Sequence, residues 1–513
     1  MQRSAVTEQP AAVAAAQDTA ADGSETRARP RPWRSPLLLC GVACVVLAAV
    51  SAALLPTVPS YDPWSWIVWG HEVTDPHLSF TVGGGPSWKP LPFLFTTVFG
   101  LFGGAAPTLW VITARAGGLL GVVAAVRLGA LLAQRGRRGP AWLAVVAGVV
   151  AVVGLVLTQF WAYYMFRGTS EPMLLGACLW AIDRHLAGRH PQAFLLGVAA
   201  SLIRPEAWPF ILLYAVWLWR RDAAGARRAV IVLGLLSIPF LWFVPPWIGS
   251  GQPFLAASHA KAYDGHLGSD PLLEVLRRGA DIQLAPLLVL AVVAVGLSLW
   301  RQRDRLIAGV ALAALGWWVL VVAMTLAGYP GLERFFLPAA GLICVLAGVG
   351  VARLAALGAS LADARGPGMA AALGAVAVAL LVAVSIPLSS GRIGEARAQP
   401  SRASHAVARL DQLSDAVRAV GSHRGVFPCK SSYAAVNHGV QTALAWKLHV
   451  TLGRVGTTMH HQGVLFIGPH DPIDGGPAPL ARDLNRRQLL ATVGAWRVYR
   501  VWSDGHLSSC VGR

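Results

Sequence analysis

The sequence is poor in charge, and what charge it has is one-sided. Only 13% of its 513 residues are Asp, Glu, Lys or Arg, 55% are hydrophobic, and the mean hydropathy is +0.54. Soluble domains carry about 25% charged residues, so a single large soluble core is excluded. Lysine is almost missing, with 4 Lys against 39 Arg. No Cys/His spacing suits zinc, no DxD pair offers adjacent acids to a metal, and no internal repeat of useful strength is visible. The first absence removes a structural zinc site, and the second leaves metal use without its usual signature. The third counts against an inverted-repeat transporter.

What is present is a succession of apolar runs from Pro36 to Pro387. They predict an α-helical polytopic membrane protein of about eleven spans. These lie near 36–56, 106–133, 141–158, 172–187, 191–203, 207–219, 229–248, 284–300, 306–327, 335–351 and 369–388. The formal charge of +18 would suggest nucleic acid in a soluble protein. Here the arginines cluster before the first span (Arg27, Arg29, Arg31, Arg34) and between later ones (Arg135-Arg137-Arg138, Arg220-Arg221, Arg227-Arg228, Arg301-Arg303-Arg305). Cytoplasmic retention of basic loops accounts for them, and no nucleic-acid partner is expected. That topology puts the N-terminus inside and everything after Ser389 outside.

Residues 1–35 are polar without periodicity and read as a disordered cytoplasmic tail. The membrane domain covers 36–388, with a large first outer loop over 57–92. The C-terminal region, 389–513, gains charge and histidine and reads as a small extracytoplasmic α/β domain. Its expected elements are a helix over 404–420 and β-like runs at 425–429, 464–468 and 496–502. Cys40, Cys44, Cys178 and Cys344 fall in apolar runs as packing residues. Cys429 and Cys510 lie in the polar region, where a disulfide would suit an extracytoplasmic compartment. The runs 191–203 and 207–219 are too short to span, and Arg204-Pro205-Glu206 lies between them. Such a break needs protein or a water-filled cavity beside it.

The first outer loop opens with Tyr61-Asp62-Pro63-Trp64. Asp62 can cap a helix starting at Pro63, or take a proton from an acceptor hydroxyl, or both. Glu171 in the second outer loop can join it as a second acid, or mark a helix start capped by Ser170. Lys89, Arg167, Arg204 and Arg334 stand at the outer ends of different segments, where guanidinium forks suit a phosphate. Arg115 lies within the second span and is a functional candidate by position, or a partner for a buried acid such as Glu206. Arg204 and Glu206 can also form a structural bridge. Glu72 or Asp75 would supply oxygen ligands if magnesium or manganese were used; no cofactor is otherwise implied. The loop 249–283, with His259, Lys261, Tyr263, Asp264, His266 and Asp270, suits either a lid or plain solvation.

This constellation resembles the GT-C superfamily of membrane glycosyltransferases. The likeness rests on Asp62 in the first outer loop, Arg115 in the second span, the Arg204-Pro205-Glu206 hairpin, and Glu333-Arg334-Phe335-Phe336-Leu337-Pro338 opening a late span. It covers residues 36 to about 390. The resemblance implies transfer of a sugar from a polyprenyl-phosphate donor to an envelope glycan, glycolipid or protein on the outer face. Asp62 would be the catalytic acid/base, Glu171 a second acid, and Arg204 and Arg334 phosphate holders. The single acid followed by Pro departs from the family's paired-acid motif. A transporter or lipid flippase is the alternative, and a non-catalytic envelope-assembly protein a further one.

Overall fold

A computed structural model describes residues 36–503 apart from 87, 136–140, 222–224, 263–266, 303, 366, 430 and 472–474. The chain divides into two compact units, Met1–Val42 and Ala43–Arg513. Of the first, residues 36–42 are described, and they are the opening turns of a helix; the expected tail 1–35 lies outside the described residues. All that follows concerns the second unit.

The helices run in order α1 (Pro36–Leu54), α2 (Tyr61–Thr74), α3 (Pro90–Gly100), α4 (Ala106–Gln134), α5 (Trp142–Val156), α6 (Trp161–Phe166), α7 (Glu171–Leu186), α8 (His190–Ser201) and α9 (Trp208–Arg221). Then come α10 (Gly225–Ser250), α11 (Leu255–Ala262), α12 (Pro271–Asp281), α13 (Ala285–Gln302), α14 (Arg305–Leu326), α15 (Leu337–Arg365) and α16 (Pro367–Ala419). Each of the eleven expected spans coincides with one of these helices. Among the described residues five helices are long and apolar enough to cross a bilayer alone, and a sixth span forms if α12 and α13, bent by 84°, count as one. The protein is a multi-pass α-helical membrane protein. Of the others, α7, α8 and α9 hold 16, 12 and 14 residues, which at about 1.5 Å each fall short of a hydrocarbon core of ~30 Å.

Helix α15 is the hub. In its apolar stretch 83% of the residues are buried, where α10 and α14 stay mostly exposed, so α15 sits among protein and they face lipid. Small residues allow the close approaches. A Cβ on Gly176 of α7 would fall 2.7 Å from the Gly117 carbonyl oxygen of α4, so only glycine lets those helices meet there.

Beyond α16 the chain forms α17 (Ser422–Val426), β1 (Tyr433–Val436), α18 (Gln441–Leu448), β2 (Val455–Gly456), β3 (Thr458–Met459), β4 (Gly463–Ile467), β5 (Leu480–Ala481), β6 (Arg486–Val493) and β7 (Trp496–Trp502). Five strands make a mixed sheet in the order β2-β1-β4-β7-β6; β1 is parallel to β2 and β4, and β7 is antiparallel to β4 and β6. The expected helix over 404–420 is the end of α16, and the runs at 464–468 and 496–502 are β4 and β7. The run 425–429 is not a strand. Gly425 N–H donates to Gly421 O in a helical turn, and Pro428 has no amide hydrogen for a ladder. Cys429 is disulfide-bonded, whereas Cys40, Cys44, Cys178 and Cys344 are free; Cys510 lies outside the described residues.

This region packs on the first loop. Gln441 Nε2 donates to Gly84 O at 2.7 Å, Thr442 Oγ1 to Tyr61 O at 3.0 Å, and Leu452 N to Glu72 Oε1 at 3.1 Å. Tyr61 Oη in turn donates to Gln441 Oε1 at 3.0 Å.

Candidate active site

Three chain breaks converge on one cavity of about 1100 Å³. The first is the start of α2. Ser60 occupies the N-cap position and the helix opens at Tyr61, so Asp62 sits within the first turn and is not the cap. Its carboxylate faces Arg334, with Nη1 to Oδ2 at 3.0 Å. The second break is Arg204-Pro205-Glu206 between α8 and α9, all three of which line the cavity as the broken span requires. The third is the turn Glu333–Phe336 that leads into α15 and carries Arg334.

Behind the cavity wall lies Glu171, fully buried at the start of α7. Its Oε1 faces three cations: Lys89 Nζ at 3.0 Å, Arg204 Nη1 at 3.5 Å and Arg334 Nε at 3.9 Å. Lys89 Nζ also donates to Ser170 Oγ at 2.8 Å, so that hydroxyl is engaged with the ammonium and makes no cap bond. Arg204 pairs with Glu206 Oε1 at 2.7 Å and lies 3.7 Å over the Phe335 ring. Asp62, Glu171 and Glu206 against Lys89, Arg204 and Arg334 make a buried network of zero formal charge. Its capacity is not filled. Among the described residues, Glu171 Oε2, Glu206 Oε2 and Arg334 Nε are buried with no hydrogen-bond partner. Such vacant valences call for an explanation, and a polar ligand is one.

The other expected site residues lie elsewhere. Glu171 does not line the cavity; its carboxylate lies against the three cations behind the wall. Among the described residues Arg115 pairs with no acid: it donates to the Met165 and Phe166 carbonyls at 3.1 and 3.2 Å and to Ser51 Oγ at 3.1 Å. That braces the turn before Arg167, whose carbonyl accepts from Ser60 N at 3.0 Å just ahead of Asp62. Arg167 is buried outside the cavity lining. Glu72 is buried too, with Oε2 accepting from Thr81 N at 3.0 Å and Oε1 from Leu452 N. Burial lifts its pKa to about 7 against those hydrogen bonds.

Asp75 is paired with His71 at 3.4 Å and accepts from His77 N. Glu72 and Asp75 therefore do not present the open oxygen set that magnesium or manganese needs. Among the described residues no three His, Cys, Asp or Glu converge as metal ligands.

Of the loop 249–283, His259 lines the cavity, Lys261 stands 5.3 Å over the Tyr329 ring, and Asp270 caps α12 through Leu273 N. Tyr263, Asp264 and His266 lie outside the described residues. Sequence reasoning missed Tyr163, Tyr164, Gln399 and His438, which line the cavity as well. The tyrosines could have been suspected, since they stand beside Arg167 in the second outer loop. His438 gives no local signal. The lining also includes the apolar side chains of Trp208, Trp242, Phe243 and Phe254.

Most of the chain aligns with the crystal structure of ArnT from Cupriavidus metallidurans bound to undecaprenyl phosphate. The TM-score is 0.52 at 13% identity, over 93% of this chain and 99% of that one. The fold is the GT-C fold. The apo ArnT structure from the same organism gives a TM-score of 0.51 at 14% identity, over 90% and 97% of the two chains. No protein-family model matches the chain, and no curated protein matches its sequence. The aligned share of the chain extends past residue 390, so the α/β region is included in the likeness of fold.

Proposed function

We propose that this protein is a membrane glycosyltransferase that moves a sugar from a polyprenyl-phosphate donor to a hydroxyl of an envelope glycan, glycolipid or protein. The observation that carries the reading is the meeting of Asp62 with Lys89, Arg204 and Arg334 at a cavity lined also by apolar side chains. A donor with a prenyl tail fits that division: the tail lies along Trp208, Trp242 and Phe243, and the phosphate reaches the cations. The undecaprenyl phosphate bound by ArnT has this chemistry.

In the reaction Asp62 accepts the proton of the acceptor hydroxyl as its oxygen attacks the anomeric carbon. The bond from that carbon to the phosphate oxygen breaks, and the electron pair leaves with the lipid phosphate. Lys89, Arg204 and Arg334 stabilise the charge that develops there. A single displacement inverts the anomeric centre. Arg334 has a double part, since the arriving phosphate competes with Asp62 for its guanidinium and so frees the base. Glu171 keeps the three cations together before the donor arrives. Arg115 and Arg167 shape the loop next to Asp62, and Glu72 holds the first loop to the α/β region.

The cavity opens to the outer face in this reading, with the N-terminus cytoplasmic and the region after residue 389 extracytoplasmic. The disulfide at Cys429 and the arginine-rich loops support that orientation. Membranes with and without the protein, given undecaprenyl phosphate bearing radiolabelled arabinose, mannose or glucose, provide the test. Label entering a glycan, glycolipid or protein only when the protein is present is the expected result. Movement of the intact lipid between leaflets without transfer would replace the enzyme with a flippase.

A further inference from the structure

The α/β region supplies part of the cavity wall, and this has a chemical consequence. His438, Gly439, Gly476 and Pro477 line the cavity on the side away from the membrane helices. His438 follows β1, and its ring rests on Tyr61, with centroids 4.4 Å apart and planes at 33°. Tyr61 is the immediate neighbour of Asp62. The bonds of Gln441 and Thr442 to Tyr61 and Gly84 pin the segment that follows His438, so its distance from Asp62 is set by the fold. Among the described residues neither nitrogen of the His438 ring has a hydrogen-bond partner. A half-buried imidazole with both nitrogens vacant, open to a cavity beside the candidate base, is built to meet a ligand.

We propose that His438 is the acceptor-positioning residue: its imidazole hydrogen-bonds a hydroxyl of the acceptor sugar next to the one that Asp62 deprotonates. This rests on the glycosyltransferase reading above. Burial lowers the pKa of His438, against the pull of the Asp62 carboxylate, which favours the neutral ring. A neutral imidazole has one donor and one acceptor nitrogen, which suits a sugar hydroxyl, itself both donor and acceptor. The cavity then has two entrances to one reaction centre. The lipid donor comes along the tryptophan wall, and the glycan comes past the α/β region.

The transfer balances as before. The acceptor O–H gives its proton to Asp62, the new C–O bond forms, and the phosphate leaves with the electron pair. His438 exchanges no proton; it selects which hydroxyl is near Asp62. Without it, water should still reach the base, and donor would be hydrolysed instead of transferred.

Two variants of the full-length protein in membranes separate hydrogen bonding from stacking. His438→Phe keeps a ring on Tyr61 but has no polar atom, whereas His438→Gln keeps a donor and an acceptor. With the radiolabelled undecaprenyl-phosphate sugars, the ratio of transferred to hydrolysed label should fall about tenfold or more in His438→Phe. It should stay within about threefold of wild type in His438→Gln, with binding of undecaprenyl phosphate unchanged in both. A ratio in His438→Phe equal to wild type overturns the assignment. So does loss of undecaprenyl phosphate binding in either variant, which would make His438 a structural residue. Wild-type protein that transfers no label rejects the glycosyltransferase reading itself, a result distinct from either of these.

Discussion

Helix α7 carries a buried acid near each end, and the two are treated in opposite ways. Asp183, about 18 Å along the helix from Glu171, has both oxygens occupied. Arg127 Nε reaches Oδ1 at 3.3 Å, Arg184 takes Oδ2, and both guanidinium groups lie over the Trp180 ring. Glu171 faces three cations with one oxygen and leaves the other with no partner. A closed network is what structure alone requires, because an unmet buried valence costs stability. An open one, beside a cavity and joined through Arg334 to Asp62, is arranged for something that comes and goes. By that criterion the end of α7 with Glu171 is the one that suits the proposed site.

The strongest way to break the contrast is to remove the base. Asp62→Asn should lower sugar transfer about 10²–10⁴-fold, as for loss of a general base, while the protein still inserts and binds undecaprenyl phosphate. Transfer near the wild-type level would leave the open network without a reaction. Glu171→Gln comes next. It leaves Lys89 without a carboxylate and takes a shared partner from Arg204 and Arg334, and loss of one partner of a buried ion pair costs about 3–5 kcal/mol. Thermal unfolding in detergent should show that loss, and added undecaprenyl phosphate should recover part of it by restoring negative charge among the cations. No recovery would mean that the phosphate does not bind there.

The contrast between the two ends explains which parts of the site were legible in the sequence. Asp62 and Arg204-Pro205-Glu206 stood out because an acid or a charged Pro-break beside an apolar run has few bland explanations in a membrane protein. Helix positions were legible for the same reason: apolar runs must be helical where water is absent. Arg115 was misleading, since a guanidinium within a span can be satisfied by carbonyls some fifty residues away, and no local pattern announces them. Glu171 was placed at the right corner but on the wrong side of the wall. His438 could not be found at all, because its meaning comes from a contact with Tyr61 made across nearly the whole chain. Burial and long-range pairing are the two things that spacing does not encode.

Glu72 offers a third arrangement, a buried acid with no cation, held by the amides of Thr81 and Leu452. Its pKa is raised from 4.5 to about 7, mainly by burial. The protonated form is thus favoured by folding, so its contribution is full below about pH 4.5 and is lost as the pH rises through about 7. Glu72→Gln does not titrate. Its stability relative to wild type should therefore climb between those limits, by on the order of 3 kcal/mol at most, and level off above. Denaturation midpoints of the two proteins from pH 4 to 8 would measure the gap. A gap independent of pH would show that Glu72 titrates alike in the folded and unfolded chains.

Asp183→Asn should have the smallest effect, and it is the control for the whole comparison. Its side chain is 3% exposed, but that of Arg127 is 45% exposed and can turn to water once its partner is gone. The loss should then be about 1–2 kcal/mol, less than for Glu171. More telling is what should not change. Sugar transfer and the stabilisation by undecaprenyl phosphate should equal those of wild type, since the Asp183 network shares no residue with the cavity. Recovery of Asp183→Asn by the lipid phosphate would mean that any deficit of negative charge on α7 attracts it. The open valence at Glu171 would then lose its claim to mark the site.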